Sequence, residues 1–303
     1  MKLRTFEEAL AAVEAAIAAH DMQTLAVRFA RDDLSRFDFA ELVRRSAART
    51  ARAEGWVPLR TAAAEAGFAE ETRASERYTL LLTVRQTLPA VAGLPVDDDV
   101  KALLYDEFVF VSAPQAKYMD VLNPAKAAFS ALCRMILLKR FPAGQLHWEA
   151  SGFPRSWLLR VPPGDLPRLL WFLAHRTRGF SPFFGTHLAT RWTKPFVMLE
   201  AEDVKSCRRI ARSMAMQPGV RGMISSSWLN DPALATLAPH LAWRFDRLRH
   251  GAILTTAGPA PADSGAARLA VTPERAEAFA SWQPAMGVML WPRDDLLAWA
   301  NTV

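Results

Sequence analysis

The sequence predicts an N-terminal all-helical region, residues 1–142, followed by an α/β domain with a mixed sheet, residues 143–303. Apolar residues recur at helical spacing through the first half, whereas short strand-like runs alternate with helical segments in the second. The composition also changes at "FPAGQL", so we place the boundary between Arg140 and Gly144. Because some strands follow one another directly, we expect a mixed rather than a strictly parallel sheet.

The first half reads as a succession of helices. Thr5 and Glu8 have the spacing of a capping box, and apolar residues follow on one helical face. Similar patterns predict helices at "FDFAELVRRSAARTARAEG", "ASERYTLLLTVRQTL" and "DDVKALLYDEFVFV". The segment "NPAKAAFSALCRMILLKRF" starts with an Asn cap and a proline in the first helical position, and Pro142 ends it. Its apolar spacing predicts a core helix.

The second half alternates strands and helices. We expect strands at "QLHWEASG", "SWLLRV", "SPFFGTHLAT", "FVML", "RGMISSSW" and "AMGVMLWP", and a hairpin-like pair at "LAWRFDRL" and "GAILTTAG". Helices are expected at "GDLPRLLWFLAHRT", "EDVKSCRRIARSMAMQ", "DPALATLAP", "TPERAEAFASW" and "DDLLAWA", with a surface loop at "GPAPADSGAA".

The composition is that of a globular protein in a reducing compartment. No apolar run reaches the length of a membrane span, so we expect no membrane partner. Cys133 and Cys207 show no metal or disulfide spacing, which favours buried free thiols and a cytoplasmic location. The abundance of alanine and arginine suggests a bacterial source.

The net charge of +6 belongs to the second half of the chain. From Gly144 onward there are 18 Lys and Arg against 12 Asp and Glu, whereas the first 143 residues carry 19 of each sign. One interpretation is a basic surface without further role, and the other is a site that attracts an anionic ligand or cofactor. The surplus is too small and diffuse to indicate nucleic-acid binding, so a small-molecule substrate is the expected partner.

The stretch "GMISSSWLNDPAL" is the first candidate site. Its apolar start fits an interior strand, and the polar residues would follow at the strand's carboxyl end, where α/β proteins collect ligands. The predicted substrate-binding residues are Ser225, Ser226, Ser227, Trp228, Asn230 and Asp231. The alternative is a polar turn in which Asn230 or Asp231 caps the next helix and Trp228 fills the core.

The stretch "QLHWEASGFPRS" is the second candidate. His147 and Glu149 alternate onto one face of a predicted strand, where they could act as an acid–base couple. His187, on another predicted strand, is a candidate third partner for a substrate or a metal. Arg155 follows the Gly-Phe-Pro turn and could clamp an anion. An ordinary His/Glu pair and a surface arginine are the alternatives.

The order of elements from Phe183 to Ala257 resembles the second half of a GNAT-type acyltransferase fold. That resemblance implies acyl-CoA, or another acyl donor, as cofactor. The family's Q/R-x-x-G-x-G/A loop, which holds the pyrophosphate, is replaced here by "RWTKPFVMLEAED". This junction has no glycine and places acids at the helix start, where they would repel a phosphate.

The leading functional prediction is a small-molecule enzyme, specifically a GNAT-like acyl or group transferase that lacks the usual phosphate loop. In it Glu149 or His147 is the base, Arg155 the anion clamp, and the serines orient the substrate. One alternative is a non-catalytic ligand-binding or regulatory protein that uses the same pocket. Another is a metal-dependent enzyme using His147, Glu149 and His187. Substrate, reaction and oligomeric state are not predicted.

Overall fold

The structure is a computed structural model that describes residues 4–19, 73–113, 127–189, 198–260 and 282–302. The described residues group into two compact units. The first contains the helices that precede Pro142, and the second contains most of the sheet and the later helices. The sequence-based domain boundary stays a prediction.

The first unit contains helices α1 (Phe6–Ala18), α2 (Arg73–Val91), α3 (Asp98–Ser112) and α4 (Ala127–Ile136). α1 begins with the predicted capping box: the Thr5 hydroxyl accepts from the Glu8 amide, and the Glu8 carboxylate accepts from the Thr5 amide. The core of this unit is apolar and fully buried, with Leu88, Leu104 and Phe108 among its members. The predicted helices of the first half are present where this part of the chain is described. Residues Arg140–Pro142, however, form a strand, so the helix predicted to run to Pro142 ends at Ile136 instead.

From Arg140 onward, the residues that the structure describes form six strands and four further helices. The strands are β1 (Arg140–Pro142), β2 (Leu146–Ser151), β3 (Phe183–Leu188), β4 (Gly222–Ser227), β5 (Ile253–Pro259) and β6 (Ala285–Pro292). The helices are α5 (Leu166–His175), α6 (Glu200–Ala215), α7 (Leu234–Leu237) and α8 (Arg293–Ala300). The described ranges also contain 3₁₀ helices at Arg155–Leu159, Trp228–Asn230 and Pro239–His250.

The strands form one mixed sheet in the order β1-β2-β3-β4-β6-β5. β2 and β3 are antiparallel, with His147 opposite His187. β3 and β4 are parallel, and α6 makes the crossover between them. β6 runs antiparallel to both β4 and β5. The predicted mixed α/β class is therefore confirmed.

Helices cover both faces of the sheet. On one, here the α5 face, Phe183, Ile224 and Leu290 pack with apolar residues of α5. On the other, the α6 face, Trp291 contacts Trp299 of α8 at 4.9 Å between ring centroids. α8 packs beside α6. Side-chain alternation thus assigns every strand residue to one layer or the other.

Two predicted strands are wrong. "SWLLRV" overlaps the 3₁₀ helix Arg155–Leu159, and "LAWRFDRL" lies within the 3₁₀ helix Pro239–His250. In the second case Leu241, Arg244 and Arg247 are buried, a spacing of three that matches a 3₁₀ turn. The apolar alternation of Leu241, Trp243 and Phe245 had suggested a strand.

Other predicted elements lie outside the described residues. These are the helices at "FDFAELVRRSAARTARAEG" and "TPERAEAFASW" apart from Trp282, most of the strand at "FVML", and most of the loop at "GPAPADSGAA". In the part of the chain that the structure describes, no helix is long and apolar enough to cross a membrane.

Gly287 of β6 allows a close approach of backbone to backbone. A Cβ at this position would lie 2.2 Å from the carbonyl oxygen of Asn230. The Gly287 carbonyl in turn accepts a hydrogen bond from the side-chain nitrogen Nδ2 of Asn230 at 3.3 Å. The segment after β4 therefore lies directly on β6 only because residue 287 has no side chain.

Gly287→Ala should destabilise the fold by at least about 2 kcal/mol, because backbone must move to admit the methyl group. Gly164→Ala is the matched control, since a Cβ there meets nothing within 4 Å, and it should change stability by less than about 0.5 kcal/mol. Urea unfolding of the three proteins measures both changes. Equal stability of the two variants would contradict the close approach.

Candidate functional site

The carboxyl ends of the parallel strands β3 and β4 form the candidate site. Their register pairs run from Phe184 with Met223 to Thr186 with Ser225. The next residues along the strands, His187 and Ser226, lie beyond the last pair and project from the α5 face. Strands in a sheet are about 4.8 Å apart, so these two side chains are lateral neighbours.

His187 and Glu149 form the principal polar contact of this site. The Nε2 atom of His187 lies 3.2 Å from the Oε1 atom of Glu149. The His187 side chain is 43% exposed and that of Glu149 only 16%, so the carboxylate lies beneath the imidazole. A carboxylate bound at Nε2 fixes the ring and leaves Nδ1 to accept a proton. The structure thus brings two predicted residues together in a geometry suited to proton transfer.

His147 lies beside this pair but is buried. It is opposite His187 in the β2–β3 register, on the same face, and its exposure is only 6%. The His187 side chain, in contrast, is 43% exposed. The accessible imidazole in this group is therefore His187, which the sequence had placed among substrate-binding residues.

The three consecutive serines divide between the two faces of the sheet. Ser226 shares the α5 face with His187, while Ser225 and Ser227 point to the α6 face. Ser226 is half-buried, and its hydroxyl makes no hydrogen bond within the described part of the chain. Of the three hydroxyls, Ser226 is the one whose position suits contact with a ligand near His187.

Ser225 belongs to a buried network centred on Asn230. The Asn230 amide nitrogen donates to the Ser225 carbonyl at 3.1 Å and to its hydroxyl at 3.2 Å. The Asn230 side-chain oxygen accepts from Arg244 Nη2 at 3.2 Å. Asn230 has no exposed surface. These contacts give Ser225 and Asn230 a structural role.

Ser227, Trp228 and Asp231 also have partners in the protein. The Ser227 hydroxyl accepts from the Leu229 amide and so caps the 3₁₀ helix that follows. The Asp231 carboxylate accepts from the amides of Ala233 and Ala285, at 3.0 and 2.7 Å. Trp228 packs edge-on against Trp282 in an apolar cluster. These contacts match the alternative interpretation of a polar turn beside a core tryptophan.

Arg155 lies away from the other candidates. It starts the 3₁₀ helix after β2, and its guanidinium lies 5.8 Å from the centre of the Phe180 ring. Phe180 precedes the amino end of β3, whereas His187 is near the carboxyl end. Five residues of strand separate the two ends by about 15 Å. The structure does not bring Arg155 to the His187 site.

A buried ion cluster, missed in the sequence, lies behind the site. Asp203 of α6 binds Arg247 and lies 3.9 Å from Arg244, and all three are at least 94% buried. Burial and repulsion from Arg247 lower the pKa of Arg244 to about 10. Burial would also lower the pKa of Arg247, but the Asp203 carboxylate outweighs it and the pKa is raised. Both arginines stay charged at neutral pH.

The cluster connects α6 to the end of β4. Asp203 holds Arg247 and Arg244, and Arg244 continues the network to Asn230 and thereby to Ser225. The one sequence signal for this cluster was the spacing of Arg244 and Arg247, which lie three residues apart and continue the spacing from Leu241. A residue spacing of three is too common to have indicated a buried ion pair.

Cys207 is the free thiol nearest the cluster. It is buried, and burial raises its pKa to about 12, so the thiol stays protonated. The expectation of a buried free thiol is confirmed for Cys207, while the side chain of Cys133 lies outside the described residues.

Two other arginines of the second unit, Arg293 and Arg221, donate hydrogen bonds to backbone carbonyls. Arg293 donates to the carbonyls of Met214, Ala215, Gln217 and Val220, at and after the end of α6. Arg221 donates to the carbonyls of Thr177, Arg178 and Ser181. Part of the basic surplus is thus used inside the fold, which favours the less specific interpretation of the charge.

The described residues do not provide the ligands that the metal-dependent alternative requires. In residues 4–19, 73–113, 127–189, 198–260 and 282–302, no group of three or more His, Cys, Asp or Glu side chains is placed to hold a metal ion. His187 and Glu149 make one contact, and His147 is buried beside them without completing a triad of ligands.

Comparison with known proteins gives only distant structural likenesses. No family model and no curated protein matches the chain. A solved acyltransferase in complex with decanoyl-CoA and teicoplanin is 14% identical over 96% of this chain and 89% of that chain, with a TM-score of 0.49. An acyltransferase in complex with CoA and 10C-teicoplanin gives the same identity and coverage and a TM-score of 0.48. Both scores are below 0.5, and no inference about this chain rests on them.

Asp203→Asn should lower the free energy of unfolding by about 3–5 kcal/mol, because it leaves two buried guanidinium groups without a counter-charge. Glu202→Gln is the matched control on the same helical turn. Glu202 forms an exposed pair with Lys205 at 2.7 Å, and its loss should cost less than about 1 kcal/mol. Urea unfolding at neutral pH gives both values. A small effect of Asp203→Asn would show that Asp203 is not the counter-charge of this cluster.

Proposed function

We propose that the protein is a small-molecule enzyme that transfers an acyl group to a nucleophilic acceptor, with His187 as the general base. The observation that carries the proposal is the 3.2 Å contact between His187 and Glu149 at the carboxyl ends of the parallel strands. An exposed imidazole held by a less exposed carboxylate is an arrangement that accepts a proton from an attacking group.

Three residues have separate roles in the proposed reaction. His187 removes the proton from an acceptor amine or hydroxyl as it attacks the acyl carbon, and then returns a proton to the leaving group. Glu149 orients the ring and stabilises the imidazolium that forms, as a positioning residue. Ser226, one strand away on the same face, donates a hydrogen bond to the substrate.

The residues of the site say less about the acyl donor than about the general base. Acyl-CoA or another acyl thioester fits the order of elements around β3 and β4, but the crossover helix α6 starts with Glu200, Glu202 and Asp203. Acidic residues at a helix start disfavour a phosphate there. We therefore expect the acyl group, rather than a pyrophosphate at α6, to be the part of the donor that the protein recognises.

His187→Gln should lower kcat by about 10²–10⁴-fold, because the general base is lost. The assay follows thiol release from acetyl-, octanoyl- and decanoyl-CoA in the presence of primary-amine acceptors. His240→Gln is the matched control, since His240 is an exposed histidine of the 3₁₀ helix Pro239–His250 and should leave kcat unchanged.

Further variants separate catalysis from scaffolding. In His187→Ala, added imidazole should restore part of the activity, which a merely structural role would not allow. Glu149→Gln should lower kcat more than it raises KM, and Ser226→Ala should mainly raise KM. Donor binding without turnover in the wild type would favour the ligand-binding alternative, and full activity of His187→Gln would refute the proposed base.

A further inference from the structure

A cavity lies beside β5, separate from the His187 site. It has a volume of about 480 Å³ and opens to solvent between the start of α5, the strand β5 and the 3₁₀ helix Pro239–His250. That volume falls within the range of sites for small organic ligands. Its lining residues include Asp165, Arg168, Phe245, Leu248, Leu254 and Thr255.

Two opposite charges line one end of the cavity. Asp165 and Arg168 are three residues apart at the start of α5, which places their Cβ atoms about 5–6 Å apart on one helical face. They form no ion pair with each other, and within the described part of the chain neither makes an ion pair elsewhere. Both charges are therefore available to a ligand.

Asp165 is held facing the strand rather than its own helix. It occupies the N-cap position of α5 but makes no capping hydrogen bond. Its Oδ2 atom instead accepts a hydrogen bond from the buried Thr255 hydroxyl at 3.3 Å. A carboxylate in this position normally accepts a hydrogen bond from the first turn of the helix. Because the Asp165 carboxylate points toward β5 instead, it lies at the wall of the cavity.

The remaining walls are largely apolar. Phe245 and Leu248 are only partly buried, with Leu248 38% exposed, and both line the cavity together with the two charged residues. An apolar surface of this kind beside two charges matches a small molecule with a charged head group and an apolar side chain.

We propose that this cavity binds a free α-amino acid with an apolar side chain. Its ammonium group would pair with Asp165, its carboxylate with Arg168, and its side chain would contact Phe245 and Leu248. An α-amino acid carries both charges on neighbouring atoms, which a carboxylate and a guanidinium one helical turn apart can hold together. Neither charge of the protein is then left unpaired in the complex.

The amino-acid site is distinct from the proposed catalytic site. Thr255 pairs with Val288, and Val288 pairs with Ser226, so Thr255 lies three strands away from His187. At the usual strand spacing this is about 14 Å. An amino acid held at Asp165 therefore does not reach the His187 imidazole, and its binding can be measured without any turnover.

Isothermal titration calorimetry of the full-length protein with L-phenylalanine and L-leucine tests the proposal. N-acetyl-L-phenylalanine lacks the ammonium charge and L-phenylalaninamide lacks the carboxylate, so each should bind at least about tenfold more weakly than L-phenylalanine. Absence of binding by both amino acids at millimolar concentration would overturn the assignment, and so would binding of either analogue as tight as that of L-phenylalanine.

Variants locate the binding in this cavity. Arg168→Gln should weaken the binding of L-phenylalanine and leave that of L-phenylalaninamide unchanged. Asp165→Asn should weaken the binding of L-phenylalanine and leave that of N-acetyl-L-phenylalanine unchanged. Asn retains the oxygen that Thr255 needs, so the fold is preserved. Arg160→Gln is the control, because Arg160 is exposed and outside the cavity. Wild-type affinity in both Arg168→Gln and Asp165→Asn would place the ligand elsewhere.

Discussion

The contact between Asp203 and Arg247 is the interaction on which the position of the carboxyl end of β4 depends. It joins the crossover helix to the long 3₁₀ segment, and through Arg244 it reaches Asn230 and the end of β4. Two guanidinium groups share one buried carboxylate, so the network holds a surplus positive charge in a region of low dielectric. The carboxyl end of β4 is thus anchored from the α6 face, which leaves Ser226 free to serve the opposite face.

The division of the serines shows how one strand can serve two purposes. Side-chain alternation places Ser225 and Ser227 on the α6 face, where they accept hydrogen bonds from Asn230 and from a backbone amide. It gives Ser226 to the face that carries His187 and Glu149. A polar run at a strand end is therefore partly scaffold and partly site, and only the pairing register of the strands separates the two.

Much of the fold followed from the sequence, because helix spacing, caps and strand-like runs are local signals. The Thr5 capping box, the strand before Ser225 and the helix with its acidic start at Glu200 were all readable. The site was less so. The contact of His187 with Glu149 depends on the pairing register of two strands, and the sequence carries no direct record of that register. The buried arginines were hidden because charged residues usually indicate a solvated surface.

The bare backbone at Gly287 has a consequence for how β6 can pair. A slip of two residues would keep every side chain on its proper face, so alternation alone does not forbid it. Such a slip would bring Ala285 or Met289 beneath the Asn230 carbonyl, where even a methyl carbon collides. Among the alignments that keep the same side chains on each face, the hydrogen atom of Gly287 therefore allows only the one that the central strands adopt.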